Sequence, residues 1–385
     1  MNKLNFILIF ITLFSHKIYG QNIEPTEQTQ LQFKGQFSSV AHFNGDNELP
    51  LWLGGRYLPQ LNYSIELPTN RLIDFEYSAN FFGNAGLKPF SESDLSGKIK
   101  NYRAWARYSS KQFEIRAGLQ KINFGSASIL RPLMWFDQLD PRDPLRLTDG
   151  VWGVLTRYYF LNNANLWVWG LYGNKNPKGW EFAETTKNKP ELGGRFQTPV
   201  PKGEAAISFH HRKATTFDLD ENIPPFNEIP ENRIGFDARF DMVVGWWVEG
   251  SLISNKADLD MFTNQQILNI GADYTFGIGN GIYVIYEQLF ASYGEKAFSF
   301  KNTTSFSLLN LSYPIGMFDN LSAIVYYDWT NNKSYNFINW QKQFDKISLF
   351  FMGYWNPEVF QIPTQTTDQN LYGGKGIQVM FVFNH

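Results

Sequence analysis

The feature that most constrains this chain is a two-residue alternation of apolar and polar side chains, which recurs from residue 31 to the C-terminus. Residues 72 to 82 put Ile73, Phe75, Tyr77, Ala79 and Phe81 on one face and Asp74, Glu76, Ser78 and Asn80 on the other. Successive side chains of a β-strand point to opposite sides, so each such segment reads as a strand with one apolar and one polar face. Leu31, Phe33, Phe37, Ala41 and Phe43 repeat the pattern, as do Ile234, Phe236, Ala238 and Phe240 against Arg233, Asp237 and Arg239. So do Leu268, Ile270, Ala272, Tyr274 and Phe276, then Leu321, Ala323, Val325, Tyr327 and Trp329, and finally Ile377, Val379, Phe381 and Phe383. About eighteen segments can be counted, each near the roughly 9 to 11 residues that cross a bilayer when tilted. Those near 189–197 and 335–341 are weak, so sixteen stays open.

Aromatic residues make up 17% of the chain and charged residues only 18%, so the rows of Phe, Tyr and Trp need an apolar surrounding. A set of secreted sandwiches would leave the outward rows without a second sheet to cover them. A membrane barrel places them against lipid, with aromatic girdles at both interfaces and a polar interior. The spacing therefore predicts an all-β fold, a single antiparallel transmembrane β-barrel of about 18 strands (16 possible). Connection lengths point the same way, because such barrels alternate short periplasmic turns with longer outer loops. Short joints fall at 67–70, 109–111, 161–165, 198–203, 240–243, 277–281, 314–320 and 341–345. Longer segments lie between them at 44–53, 84–97, 121–149, 173–189, 213–231, 254–264, 292–301 and 355–373, with a shorter one at 330–334.

Residues 1–20 read as a signal peptide, with Lys3 before the apolar run Phe6 to Phe14 and Ile18-Tyr19-Gly20 before Gln21, which leaves 21–385 as an outer-membrane barrel. With no Cys, disulfides, thiolate metal sites and an anchor through an N-terminal Cys are excluded. A formal net charge of -2 provides no basic surplus for nucleic acid. The partners to expect are outer-membrane lipid and lipopolysaccharide, with a small polar solute or an outer-membrane protein complex. No cofactor is indicated, since five His, one of them in the signal, give little to build a metal site from.

The polar faces define the lumen. Arg103, Arg107, Arg116, Gln120 and Arg157 form a basic arc of pore-lining candidates, while Asp74 and Glu76 are expected elsewhere round the wall, where opposed charges would set up a transverse field. The same charges could instead pair with one another in a plugged interior. The long loop from Lys121 to Thr148 carries the constriction candidates Trp135, Phe136, Asp137, Asp140, Arg142, Asp143 and Arg146. Pro132, Pro141 and Pro144 stiffen it, and its mixed charges allow it to fold inward and tie its acids to the basic arc; folded outward it is surface. Ser208 and His210 share a wall, but nothing stands behind them as the third member of a nucleophilic triad, so an enzyme is not expected.

Residues 113–125, FEIRAGLQKINFG, followed by Asp149-Gly150-Val151, resemble the strand motif of alginate-export and related porin-like families of Gram-negative outer membranes. The matching positions are Arg116, Gly118, Gln120 and Gly125, then Asp149 to Val151. Leu119 stands where the motif has a second Arg, and the chain ends Phe383-Asn384-His385 where such barrels end on an aromatic residue. The resemblance implies a channel for small hydrophilic or anionic solutes, or saccharide export. The alternative is a plugged accessory barrel within an outer-membrane secretion, assembly or surface-polysaccharide complex.

Overall fold

The computed structural model describes residues 29–88, 93–217, 219, 223–359, 362 and 371–385, so the signal segment lies outside the described residues. Eighteen strands pair with their sequence neighbours, all antiparallel, and the ring closes where β1 (Thr29–Asn44) meets β19 (Lys375–Asn384). Phe37 stands opposite Phe383 there and Ala41 opposite Val379. A nineteenth, two-residue strand, β8 (Glu184–Thr185), adds to the edge of β10 (Gly203–Thr215) outside the ring. Both weak segments are strands: 189–197 falls in β9 (Glu191–Val200) and 335–341 in β17 (Lys333–Gln343), which settles the count at eighteen.

The alternation places the side chains as expected. Phe33, Phe37, Phe75, Tyr77, Phe236, Ile270 and Ile377 are exposed on the outside. Ring pairs Tyr158–Phe160, Tyr274–Phe276 and Phe240–Trp246 sit toward the short-turn end, the last stacked 4.3 Å apart. No helix among the described residues is long and apolar enough to cross a membrane; this chain crosses with strands.

Connections alternate in length, except that 329–332 is as short as the turns at the other end. Turns at one end, such as 68–70, 110–112, 201–202 and 344–346, are short, whereas 121–150, 172–190, 216–228 and 356–374 at the other are long. One expected loop shrinks: in place of 84–97, β3 (Arg71–Leu87) and β4 (Ser93–Ser109) run on in pairing from Gly83 opposite Gly97 to Leu87 opposite Ser93. β4 also carries a bulge, since Ser78 pairs with Arg103 and Ala79 with Asn101, leaving Tyr102 over. The extra residue resets the pleat, so Ile99 points out while Arg103 is buried inside.

By the loop-length rule the short turns are periplasmic. A Cys introduced at Lys187 should react with an impermeant maleimide on intact cells, and one at Asn163 only after the outer membrane is breached; the reverse labelling would invert the topology. The face assignment is tested by Phe236→Arg in the middle of β11 (Ile229–Asp241), expected to cost about 2–4 kcal/mol in unfolding measurements in lipid. Ser322→Arg, on the inward face, should cost far less, and equal losses would mean a register slip of one residue.

Candidate functional site

The loop between β5 (Phe113–Gln120) and β6 (Val151–Tyr159) enters the lumen and crosses it. Its backbone is caught by two carboxylates from the far wall. Glu249, on the inward face of β12 (Gly245–Asn255), accepts N–H bonds from Ala127 at 2.8 Å and Leu133 at 2.7 Å. Glu287, on β14 (Ile282–Gly294), accepts from Ser128 at 2.7 Å, Ile129 at 3.2 Å and Leu130 at 2.6 Å. Asp237 on β11 adds a bond from Ser126 Oγ at 2.9 Å. Gly125 makes the approach possible: its φ of 112° lies in the region that favours glycine, and a Cβ there would collide with the Glu249 carboxylate.

Beyond the anchor the loop builds a core inside the barrel. Trp135 and Phe136 are buried among Phe124, Leu155 and Trp169, and Trp135 Nε1 donates to Ser251 Oγ at 3.0 Å. Rings expected to narrow a pore are thus packed in an apolar core inside the barrel. The loop acids do not reach the basic arc either. Asp137 pairs with Arg131 at 2.9 Å, Asp140 with Arg142 at 2.6 Å, and Asp143 accepts the backbone N–H groups of Leu145 and Leu147. Burial pushes the Asp143 carboxyl above its usual range. Its turn presents Arg146, held at φ 46°, to the lumen. The next long loop folds in as well, with Trp180 Nε1 donating to the Arg131 carbonyl at 2.8 Å.

The arc itself is a set of neighbouring ion pairs, because the acids stand beside the arginines and not across from them. Arg107 grips Asp74 through Nε at 2.9 Å and Nη2 at 2.7 Å. Glu114 lies 3.5 Å from Arg107, 3.1 Å from Arg116 and 3.6 Å from Arg157. Glu76 is opposite Trp105 on the same pair of strands. Arg103 leaves the arc and donates to the Thr148 carbonyl at 2.9 Å, which pins the end of the loop. Gln120 is fully buried and bonds the carbonyls of Arg116 and Gly153, so it is part of the wall. Glu114 was visible as the one acid between those arginines on an inward face; Glu249 stands between Trp247 and Ser251 on its face and gave no such signal. Ser208 and His210 are held separately, by Arg195 at 3.1 Å and by Glu191 at 3.2 Å, and form no nucleophile and base pair.

Space remains on the other side. A cavity of about 230 Å³ lies between loop residues Pro141 to Arg146 and the periplasmic ends of β15 (Asn302–Pro314), β16 (Asp319–Asp328), β17 and β18 (Ile347–Trp355). Another of about 190 Å³ lies toward the outer ends of β1, β2 (Leu51–Leu67) and β3, lined by His42, Trp52, Arg56, Asn84 and Gln378. Asp143 borders both.

A closed barrel of eighteen antiparallel strands with an apolar outside and an inserted loop defines a porin-like β-barrel of the outer membrane. Among solved structures the chain is similar to OccAB1 of Acinetobacter baumannii, at 7% identity and TM-score 0.59 over 93% of this chain and 96% of that one. It is similar to OccD3 (OpdP) of Pseudomonas aeruginosa, at 10% identity and TM-score 0.54 over 92% and 91%. A third is Wzi of Escherichia coli, an outer-membrane protein involved in group 1 capsule assembly and a carbohydrate-binding β-barrel, at 9% identity and TM-score 0.51 over 91% and 84%. No protein-family model matches the sequence, and no curated protein matches it.

Five loop N–H groups depend on Glu249 and Glu287, and a buried N–H left unpaired costs about 1–3 kcal/mol. The double variant Glu249→Ala, Glu287→Ala should therefore release residues 126–134, seen as rapid amide exchange there while the strand amides stay protected. Unchanged exchange would show that apolar packing alone holds the loop.

Proposed function

We propose that the protein is a narrow outer-membrane channel for small hydrophilic solutes, with loop residues 140–147 as its constriction. The observation that carries this reading is the pair of cavities above and below that segment, both bordered by Asp143. They follow one side of the lumen, where Leu145 of the loop packs against Phe350, Met380 and Val382 but leaves space above and below, whereas on the β11 to β14 side the loop backbone is hydrogen-bonded to the wall. A solute entering from the outer side meets Arg56, then the turn of Asp143, then Arg146. The outer face of such a barrel would sit in lipid, with lipopolysaccharide as its outer-leaflet contact.

A second reading has its own support. An apolar cluster of loop residues Ile129, Leu130 and Met134 with wall residues Trp247, Leu289, Phe306, Tyr326 and Tyr354 occupies the interior, as a plug would. In that case the barrel is an accessory subunit of a secretion, assembly or surface-polysaccharide complex; Wzi, of similar fold, is involved in group 1 capsule assembly.

Reconstitution of the full chain in planar bilayers separates the two. The channel reading expects small, uniform conductance steps that grow when the Glu249→Ala, Glu287→Ala pair frees the loop. A barrel that is correctly folded and silent in both forms would sink it and leave the accessory role.

A further inference from the structure

The inner wall changes character round the barrel. From β3 round to β14 it is rich in charged groups that are largely paired, as in Arg107 with Asp74, Arg195 with Asp237 and Arg212 with Glu231. On β15 to β17 the residues beside the cavity are uncharged, with Lys342 and Asp319 paired next to them. Three rungs of in-register inward residues line the periplasmic cavity: Asn310, Ile324 and Phe337; then Ser312, Ser322 and Asn339; then Asn320 and Gln341. Of their polar side chains, Ser312 donates to Asn320 at 3.1 Å, while Asn310, Ser322, Asn339 and Gln341 bond no other described residue. Asn339 Oδ1 is buried and without a partner. Each free carboxamide offers two donors and an acceptor with two lone pairs, and leaving such groups buried and unmade is costly.

Two further features surround these groups. Apolar surfaces flank them, namely Phe350 and Met352 on β18 and Pro141 and Pro144 on the loop. The formal charges at the cavity cancel, since Arg142 is paired with Asp140 and Arg146 shares a turn with Asp143. Neutral donors and acceptors on one side, with rings and aliphatic surfaces on the other, match a solute that carries hydroxyls on its edges and C–H groups on its faces.

Resting on the channel reading, we infer that this amide ladder is a binding site for an uncharged polyhydroxylated solute, a neutral sugar in ring form. Asn310, Ser322, Asn339 and Gln341 exchange hydrogen bonds with its hydroxyls, and Phe350 and Pro144 cover its faces.

The test uses the full chain, with D-glucose and sodium D-gluconate as probes. In planar bilayers, glucose on the periplasmic side should interrupt the current in a concentration-dependent way, and Asn339→Ala combined with Gln341→Ala should weaken that block about tenfold or more, the loss of one to two hydrogen bonds. Glucose binding by calorimetry in detergent micelles should weaken in parallel. A conducting barrel that gluconate blocks and glucose does not would overturn the neutral-sugar assignment and leave the channel standing. A silent barrel that still binds glucose through Asn339 and Gln341 would overturn the channel and keep the site. A glucose block or affinity untouched by the double variant would remove the amide ladder as the site.

Discussion

Two carboxylates organise the interior of this barrel. Glu249 and Glu287 rise from neighbouring parts of the far wall and accept five backbone N–H groups of a loop that starts on β5. A buried carboxylate is tolerated only when its oxygens are hydrogen-bonded, and a buried stretch of loop backbone only when its N–H groups are. Each therefore supplies what the other lacks. The contact fixes where the loop lies, and from that follow the apolar core around Trp135 and Phe136, the turn of Asp143 and the space left beside the opposite wall.

The fold was readable because a period of two is a local property. Most strands announce their own lipid face, those at 189–197 and 335–341 only weakly, and Phe236 or Ile270 needs no distant partner to do so. Connection lengths then orient the barrel. The loop's direction was readable in part, since Pro141, Pro144 and the mixed charges mark a stiff segment with partners to find. Which partners it finds was not, because those contacts join residues more than a hundred positions apart: Ala127 to Glu249, and Ser128 to Glu287. The basic arc shows the same limit. Arg107 and Asp74 are 33 residues apart in the chain and adjacent only once β3 and β4 pair, so acids that look remote in sequence neutralise the arc on the spot.

Pairing is also the reason that charge says little about passage on that side. Arg195 and Asp237, or Arg212 with Glu231 and Glu181, are nearly inaccessible, and ions removed from water persist only in such company. Their role is to bind the loop at 172–190 and the upper wall into one body: Glu181, from that loop, reaches both Arg212 and Arg233. Paired and buried in this way, these ions are held by one another and by the loop.

The uncharged stretch of wall beside the periplasmic cavity is the complement of the charged one. The loop's apolar residues press toward β12 to β18, and its polar turn, Pro141 to Arg146, is the part that faces open space. A turn cannot also bond the wall it faces without closing the gap, so the amides of β15 to β17 are left unpaired by the same geometry that anchors the loop through Glu249 and Glu287. On the channel reading, a solute in the gap would meet those amides first, which would make hydrogen-bonding capacity, and not net charge, the quantity that this part of the lumen selects on.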